Sequence, residues 1–164
     1  MSVYGRILLA GLGSIALLLG ALGFQYLGAL APCPMCIWQR WPHLAAALVA
    51  VLAMTVFWRA RRPLSVLGGA VMAVSAGLGV FHAGVEQLWW EGPGSCSGAD
   101  PTALSTEDLM AQIMNAPLVR CDEIVWDFLD ITMAGWNAII SAGLAVLWIF
   151  AAIPRTPTRH TAPG

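Results

Sequence analysis

Pro32-Cys33-Pro34-Met35-Cys36-Ile37-Trp38-Gln39-Arg40 joins one long apolar run to the next and carries a Cys-x-x-Cys pair, with an arginine four residues past the second cysteine. Such a pair can close a small disulfide ring, hold a soft metal, or cycle between dithiol and disulfide. Which of these applies depends on where the pair lies relative to a membrane. The sequence on either side decides that.

Before the junction, Ile7 to Leu30 carries no charge and is long enough to cross a hydrocarbon core of about 30 Å as a helix. After it come three more uncharged runs, Trp41 to Trp58, Leu64 to Val85 and Ile131 to Ile153. Hydrophobic residues make up 59% of the 164-residue chain and charged residues 10%, against about 25% charged in soluble domains. Such a chain cannot clothe itself in a solvated surface. The expectation is a single all-α integral membrane domain over residues 1–164, a bundle of four transmembrane helices at about 7–30, 41–58, 64–85 and 131–153. Loops at about 31–40 and 86–130 would face one side. Ala29-Leu30-Ala31 after Arg6 resembles a leader cleavage site. The apolar run exceeds a leader's core of about 7–15 residues, however, and Pro32 would follow the cut, so the run is read as an uncleaved span.

Charge sets the orientation. Arg6, the Arg59, Arg61 and Arg62 cluster, and Arg155 and Arg159 in the tail fall on one side if four spans alternate, which puts both termini in the cytoplasm. All nine acids lie between Glu86 and Asp130. No basic run is long enough to suggest nucleic acid. Trp38, Trp41, Trp89, Trp90 and Trp136 would mark the outer interface, and Trp58 and Trp148 the inner one. The four cysteines, Cys33, Cys36, Cys96 and Cys121, then share an extracytoplasmic compartment where disulfides persist.

In the long loop, Leu104 to Met114 reads as a short amphipathic helix, capped by Ser105 with Asp108 answering, its apolar face of Leu109, Met110, Ile113 and Met114 lying on the bilayer surface. The third span is rich in small residues, for instance Ala73-x-x-x-Gly77, which suits close helix contact.

Cys33 and Cys36 would staple almost nothing, since the loop they close is so short. Redox cycling is the better reading: Cys36 stands at the edge of a helix N-terminus, and Arg40 at i+4 favours a thiolate. A four-cysteine zinc site fits poorly, because Cys96 and Cys121 lack the close spacing of structural zinc ligands. As a passive staple, Cys96–Cys121 could contribute about 3 kcal/mol. Beside a Cys-x-x-Cys on the same side, a mobile, exposed partner in an exchange relay explains the pair better. His82 and Glu86, at i and i+4 late in the third span, are ionisable groups inside a membrane segment. His82 suits hydrogen bonding to a lipid-soluble cofactor, with an ordinary interhelical bond as the rival reading. His43 reads as interfacial and His160 as part of the tail.

Several motifs together resemble the bacterial disulfide bond formation protein B (DsbB) family over about residues 7–153. They are Cys33-x-x-Cys36-Ile37-x-x-Arg40 after the first span, His82 late in the third, the loop pair Cys96 and Cys121, and Cys121-Asp-Glu-Ile-Val-Trp126-Asp127-Phe128-Leu129. The resemblance implies an inner-membrane protein-dithiol:quinone oxidoreductase that reoxidises a periplasmic DsbA-like thiol oxidase and passes electrons to ubiquinone or menaquinone, without metal. It implies redox-active disulfides Cys33–Cys36 and Cys96–Cys121, with Cys96 meeting the partner and Cys121 attacking Cys33. Cys36, Arg40 and His82 would contact the quinone. Pro32, Pro34 and Glu86 are the departures from the family's pattern. The alternative from another class is a non-enzymatic tetraspan scaffold with two structural disulfides, for which Arg40 and the Cys-x-x-Cys would have no purpose.

Overall fold

The computed structural model describes residues 2–97 and 119–154, together with positions 105, 107, 110 and 114. Four long helices carry the fold: α1 (Val3–Tyr26), α2 (Pro34–Met54), α3 (Arg61–Glu86) and α5 (Met133–Ala152). A short turn of helix, α4 (Gly94–Ser97), lies in the long loop, and a small hairpin of β1 (Asp127–Phe128) and β2 (Ile131–Thr132) precedes α5. Among the described residues, α1, α3 with the turn before it, and α5 are long and apolar enough to cross a membrane. The chain is a helical membrane protein. α2 is of similar length but carries Gln39, Arg40, Pro42 and His43 near its start.

The helix ends differ from the expected spans for local reasons. α1 starts at Val3, where Ser2 caps it by accepting the Gly5 N–H at 3.1 Å. It stops at Tyr26 rather than Leu30, because the N–H groups of Leu27 and Gly28 both turn back to the Gly23 carbonyl. Ala29 then takes φ +53°, which no helix can continue. α2 begins at Pro34, so the expected loop at 31–40 is largely helix. Pro34 occupies the first helical position, where its missing N–H costs nothing, and Cys33 before it is held extended at ψ 165°. The two prolines around Cys33 thus define the start of α2. The amphipathic helix expected at Leu104 to Met114 lies outside the described residues apart from four isolated positions, and His160, Arg155 and Arg159 lie outside them entirely.

α3 and α5 approach most closely. A Cβ on Gly68 would stand 2.6 Å from the Trp148 ring, and one on Gly79 would stand 2.8 Å from the Ala138 backbone nitrogen. Between lipid-facing helices there is little hydrophobic driving force, so close approach of this kind supplies the packing attraction. Ala73 and Gly77 are not the contact pair: nothing lies within 4 Å of a Cβ placed on Gly77. Trp148 is no interfacial anchor either. It is fully buried among Ile7, Ala46, Ala53, Met72 and Ala145. At this end Arg6 donates to the Phe150 carbonyl, and Arg61 donates to the Tyr4 hydroxyl at 3.0 Å while lying over its ring.

Candidate redox site and buried cavity

The opposite end of the bundle holds all four cysteines. Cys33, Cys96 and Cys121 pack with Met35 and Val85 in one buried cluster, and Cys36 lies against it. Cys33 is the N-cap of α2: its Sγ accepts the Cys36 backbone N–H at 3.2 Å, which turns the helix N-terminus toward sulfur. The Cys33 and Cys36 sulfurs are 2.8 Å apart as free thiols, with Cys33 donating to Cys36. That hydrogen bond and burial push the Cys33 thiol up from its ordinary range. Within the pair Cys33 is the donor and Cys36 the acceptor.

Cys96 and Cys121 are joined in a disulfide. Both are fully buried, contrary to the expectation of an exposed pair. The Cys96 N–H is held by the Pro93 carbonyl at 2.7 Å and the Cys121 N–H by the Cys96 carbonyl at 3.1 Å, which folds the loop down onto α2 and α3. The sulfurs of Cys33 and Cys121 and a ring nitrogen of His82 all lie within 4.8 Å of one another. Three such atoms could approach a metal ion, but Cys121 is bonded to Cys96 and offers no thiolate.

His82 is buried on α3. Its Nε2 is 3.5 Å from Cys33 Sγ and 3.8 Å from Glu86 Oε1, while its Nδ1 is 2.7 Å from Gln39 Nε2. Gln39 Oε1 accepts from Asn137 Nδ2 at 2.7 Å, and Asn137 Oδ1 is 2.8 Å from His43 Nε2. Ser75 and Ser141 close the far side, 3.3 and 3.4 Å from His43. His43 is therefore buried in the bundle, not interfacial. The signal was present in the spacing: Gln39 and His43 are i and i+4, so they share one inward face of α2.

Beside the cysteines lies a largely apolar cavity of about 420 Å³. Cys36 lines it and Cys33 does not. Phe24, Trp126 and Trp136 supply apolar wall, with Arg40, His43 and Glu86 as polar lining. The β1–β2 hairpin shapes its mouth: Phe24 meets Trp126 at 5.2 Å, Trp126 stacks on Phe128 at 6.4 Å, and Trp136 Nε1 donates to the Phe128 carbonyl at 3.1 Å. Arg40 donates from Nη1 to Gln25 at 2.7 Å, yet its Nε has no partner. Among the described residues His43 Nδ1 and Glu86 Oε2 are likewise buried without hydrogen-bond partners, with Thr132 beside the Glu86 carboxyl. Buried polar atoms are normally satisfied, so three orphans on one cavity wall are groups that a polar ligand would complete. A flat, mostly apolar ring bearing oxygens fits such a lining.

The chain matches the family model described as Disulfide bond formation protein DsbB over residues 5–151. The chain belongs to the DsbB family. Disulfide bond formation protein B of Shewanella sp. (strain W3-18-1) is 31% identical over 86% of this chain and 82% of its own length. That of Polaromonas naphthalenivorans (strain CJ2) is 31% identical over 90% of both chains, and that of Marinobacter nauticus 30% identical over 96% and 94%. No solved structure matches the chain. As a DsbB-family member it is a membrane oxidoreductase of disulfide bond formation.

Proposed function

We propose that this DsbB-family protein is a four-span protein-dithiol:quinone oxidoreductase with both termini in the cytoplasm and its cysteines on the periplasmic face of the inner membrane. It takes electrons from a reduced DsbA-like thiol oxidase and passes them to a membrane quinone. The observation that carries this reading is the division between two adjacent sulfurs: Cys33 lies within reach of Cys121, whereas Cys36 borders the apolar cavity.

The chemistry follows from thiol–disulfide exchange. With the Cys33–Cys36 pair oxidised, a partner thiolate attacks Cys96, breaking Cys96–Cys121 and releasing Cys121 as thiolate. Burial of Cys96 requires the loop to lift before the partner enters. Cys121 then attacks Cys33, forming Cys33–Cys121 and expelling Cys36 thiolate at the cavity wall. The partner's second thiolate attacks the partner sulfur of the mixed disulfide, so the partner leaves oxidised and Cys96 departs as thiolate. Cys96 then attacks Cys121 of Cys33–Cys121, which re-forms Cys96–Cys121 and releases Cys33, leaving the electron pair on the reduced Cys33/Cys36 dithiol. The electron pair thus moves from a protein surface to the edge of a lipid-accessible cavity. A quinone bound there supplies the acceptor, taking up two electrons and two protons.

The residues present fit such a group. Arg40 Nε would donate to a ring oxygen, and Glu86 Oε2 can hold a proton at the cavity wall. Phe24, Trp126 and Trp136 would exclude water from the sulfur. The scaffold reading leaves the cavity, its orphaned polar atoms and the Cys33–Cys121 approach without a purpose.

The test is quinone reduction by the purified protein with a reduced DsbA-like donor, followed optically. Stoichiometric loss of quinone absorbance is expected. No quinone consumption in the presence of donor oxidation would remove the acceptor from the proposal. Labelling of reduced intact cells with a membrane-impermeant thiol reagent checks sidedness, and reaction of either pair only when the same reagent is admitted to the cytoplasm would overturn the electron route.

A further inference from the structure

From the buried contacts between α2, α3 and α5 we infer that Asn137 and Gln39 are positioning residues that fix the His82 proton on Nε2, aimed at the sulfur of Cys33. The inference rests on the proposed exchange between Cys121 and Cys33, and its first readout does not depend on any quinone.

The argument is one of donors and acceptors. An amide has a donor end and an acceptor end, and an imidazole that is neutral has one of each. Gln39 Nε2 also faces the Met35 carbonyl at 3.3 Å, an acceptor that orients the amide with nitrogen on that side. Its nitrogen then donates to His82 Nδ1, and its oxygen accepts from Asn137 Nδ2. Asn137 Oδ1 in turn accepts from His43 Nε2. Every link runs the same way, from His43 through Asn137 and Gln39 to His82. With Nδ1 occupied as an acceptor, neutral His82 must carry its proton on Nε2. His43 meets this chain through Nε2 alone, its Nδ1 having no partner among the described residues.

The consequence falls on sulfur. His82 Nε2 is 3.5 Å from Cys33 Sγ, and the Cys121 sulfur lies in the same small cluster. During exchange, negative charge spreads along Cys121, Cys33 and Cys36 as the Cys121–Cys33 bond forms and the Cys33–Cys36 bond breaks. An N–H pointing at this line stabilises that charge, and a lone pair in the same place opposes it. The other titratable or charged groups around His82 and Cys33 are Cys36 and Arg40 on α2, Glu86 on α3, and Cys121 in the loop. Glu86 Oε1 stands 3.8 Å from the same Nε2, beyond hydrogen-bond reach.

The test uses the full chain in detergent micelles, labelled with ¹⁵N-histidine, at neutral pH. His43→Gln and His82→Gln variants assign the ring signals. The wild type is expected to show His82 with Nε2 protonated and Nδ1 bare. Asn137→Asp replaces the donor facing Gln39 by an acceptor, so Gln39 turns over and His82 moves its proton to Nδ1. In the same variant, single-turnover transfer from Cys121 to Cys33 with a reduced DsbA-like donor and no added quinone is expected to slow about tenfold. That is the scale of one hydrogen bond to a charged group. Capture of the donor at Cys96 should be unchanged. Should Asn137→Asp fail to fold, Gln39→Met removes the donor to His82 without altering α5, and should give mixed tautomers with a severalfold slower transfer. A wild-type His82 protonated on Nδ1 overturns the inference. So does a tautomer switch in Asn137→Asp with an unaltered transfer rate. A wild type that makes Cys33–Cys121 promptly but never reduces quinone would sink the proposed acceptor and leave this assignment standing.

Discussion

The two ends of the bundle are built on opposite principles. Around Trp148 the helices meet through alanine, glycine and short apolar chains, and the buried residues there form one continuous cluster. Around Cys33 they meet through a thiol pair, a glutamine, an asparagine and two histidines, next to a cavity whose polar atoms are incompletely paired. The four non-glycine residues with positive φ among the described residues, Ala29, Leu88, Leu129 and Asp130, all lie in connections at the cysteine end. Left-handed backbone at such residues is costly and persists where surroundings over-determine it. One end of the molecule is thus built mainly for contact, its one buried polar atom without a partner among the described residues being Trp148 Nε1, whereas the other gathers three such atoms on one cavity wall beside the left-handed backbone.

If that division is right, changes at the two ends should fail in different assays. The largest expected effect is at the cysteine end: Cys36→Ser should abolish donor oxidation coupled to quinone, because among the described residues it removes the one cysteine on the cavity wall. Its thermal midpoint in micelles should stay near that of the wild type. Retained turnover in this variant would break the proposed route at its last sulfur, and an unfolded variant would favour a structural role. Next comes the other end. Gly68→Ala places a methyl 2.6 Å from the buried Trp148 ring, and overpacking of this kind costs about 1–3 kcal/mol. A lowered thermal midpoint is expected, with quinone reduction per folded molecule unchanged. Selective loss of activity without loss of stability would show that the two ends are coupled.

The sequence makes the coarse frame legible because apolar runs and arginine clusters are additive signals, readable one segment at a time. The Cys-x-x-Cys at a helix start was visible for the same local reason, although its position inside the first turn of α2 needed the proline rule at Pro34 and the cap at Cys33. What escaped is relational. His43 looked like one more polar residue near an interface, since its partner Asn137 is far along the chain and neither has a motif. Trp148 looked like an anchor because tryptophan is common at interfaces, but the opening opposite it at Gly68 draws it into the core. The burial of Cys96 and Cys121 depends on how the loop folds back, which spacing does not encode. The inward place of His43 could be suspected from its sharing a helix face with Gln39, and that of His82 from its position in the third span, but their proton positions follow only from the atoms that face them.

A smaller effect tests the cavity. Arg40→Met keeps the stem and removes the guanidinium whose Nε is unpartnered there. Quinone affinity of the oxidised protein, measured by quenching of tryptophan emission, should fall about tenfold, the value of one charge-assisted hydrogen bond. The thermal midpoint should move little, since the lost internal partner is a single bond to Gln25. An unchanged affinity would place the polar contact elsewhere on the cavity wall, with Glu86 the next group to examine.

The smallest effect concerns the hairpin at the cavity mouth. Phe128 pairs with Ile131, so Leu129 and Asp130 are the two central residues of a tight turn, at φ 55° and 60°. Turns of this kind take positive φ at both positions and favour Asn-Gly for that reason. Leu129 is 70% exposed and gives up little buried surface if shortened. Leu129→Gly relieves about 1–2 kcal/mol of left-handed strain and loosens the unfolded chain by about 0.4–1 kcal/mol, so a net gain of about 0.5–1 kcal/mol is expected. For a chain of this size that is a rise of roughly 1–4 °C in thermal midpoint. Quinone reduction should stay the same if the turn merely carries the strain, because Trp126, Phe128 and Trp136 keep their contacts. A gain in stability accompanied by a loss of turnover would mean that the strained turn holds the aromatic wall in its working position. A fall in stability would mean that the Leu129 side chain is held by lipid, and that the unfavourable backbone at the cysteine end is compensated from outside the protein.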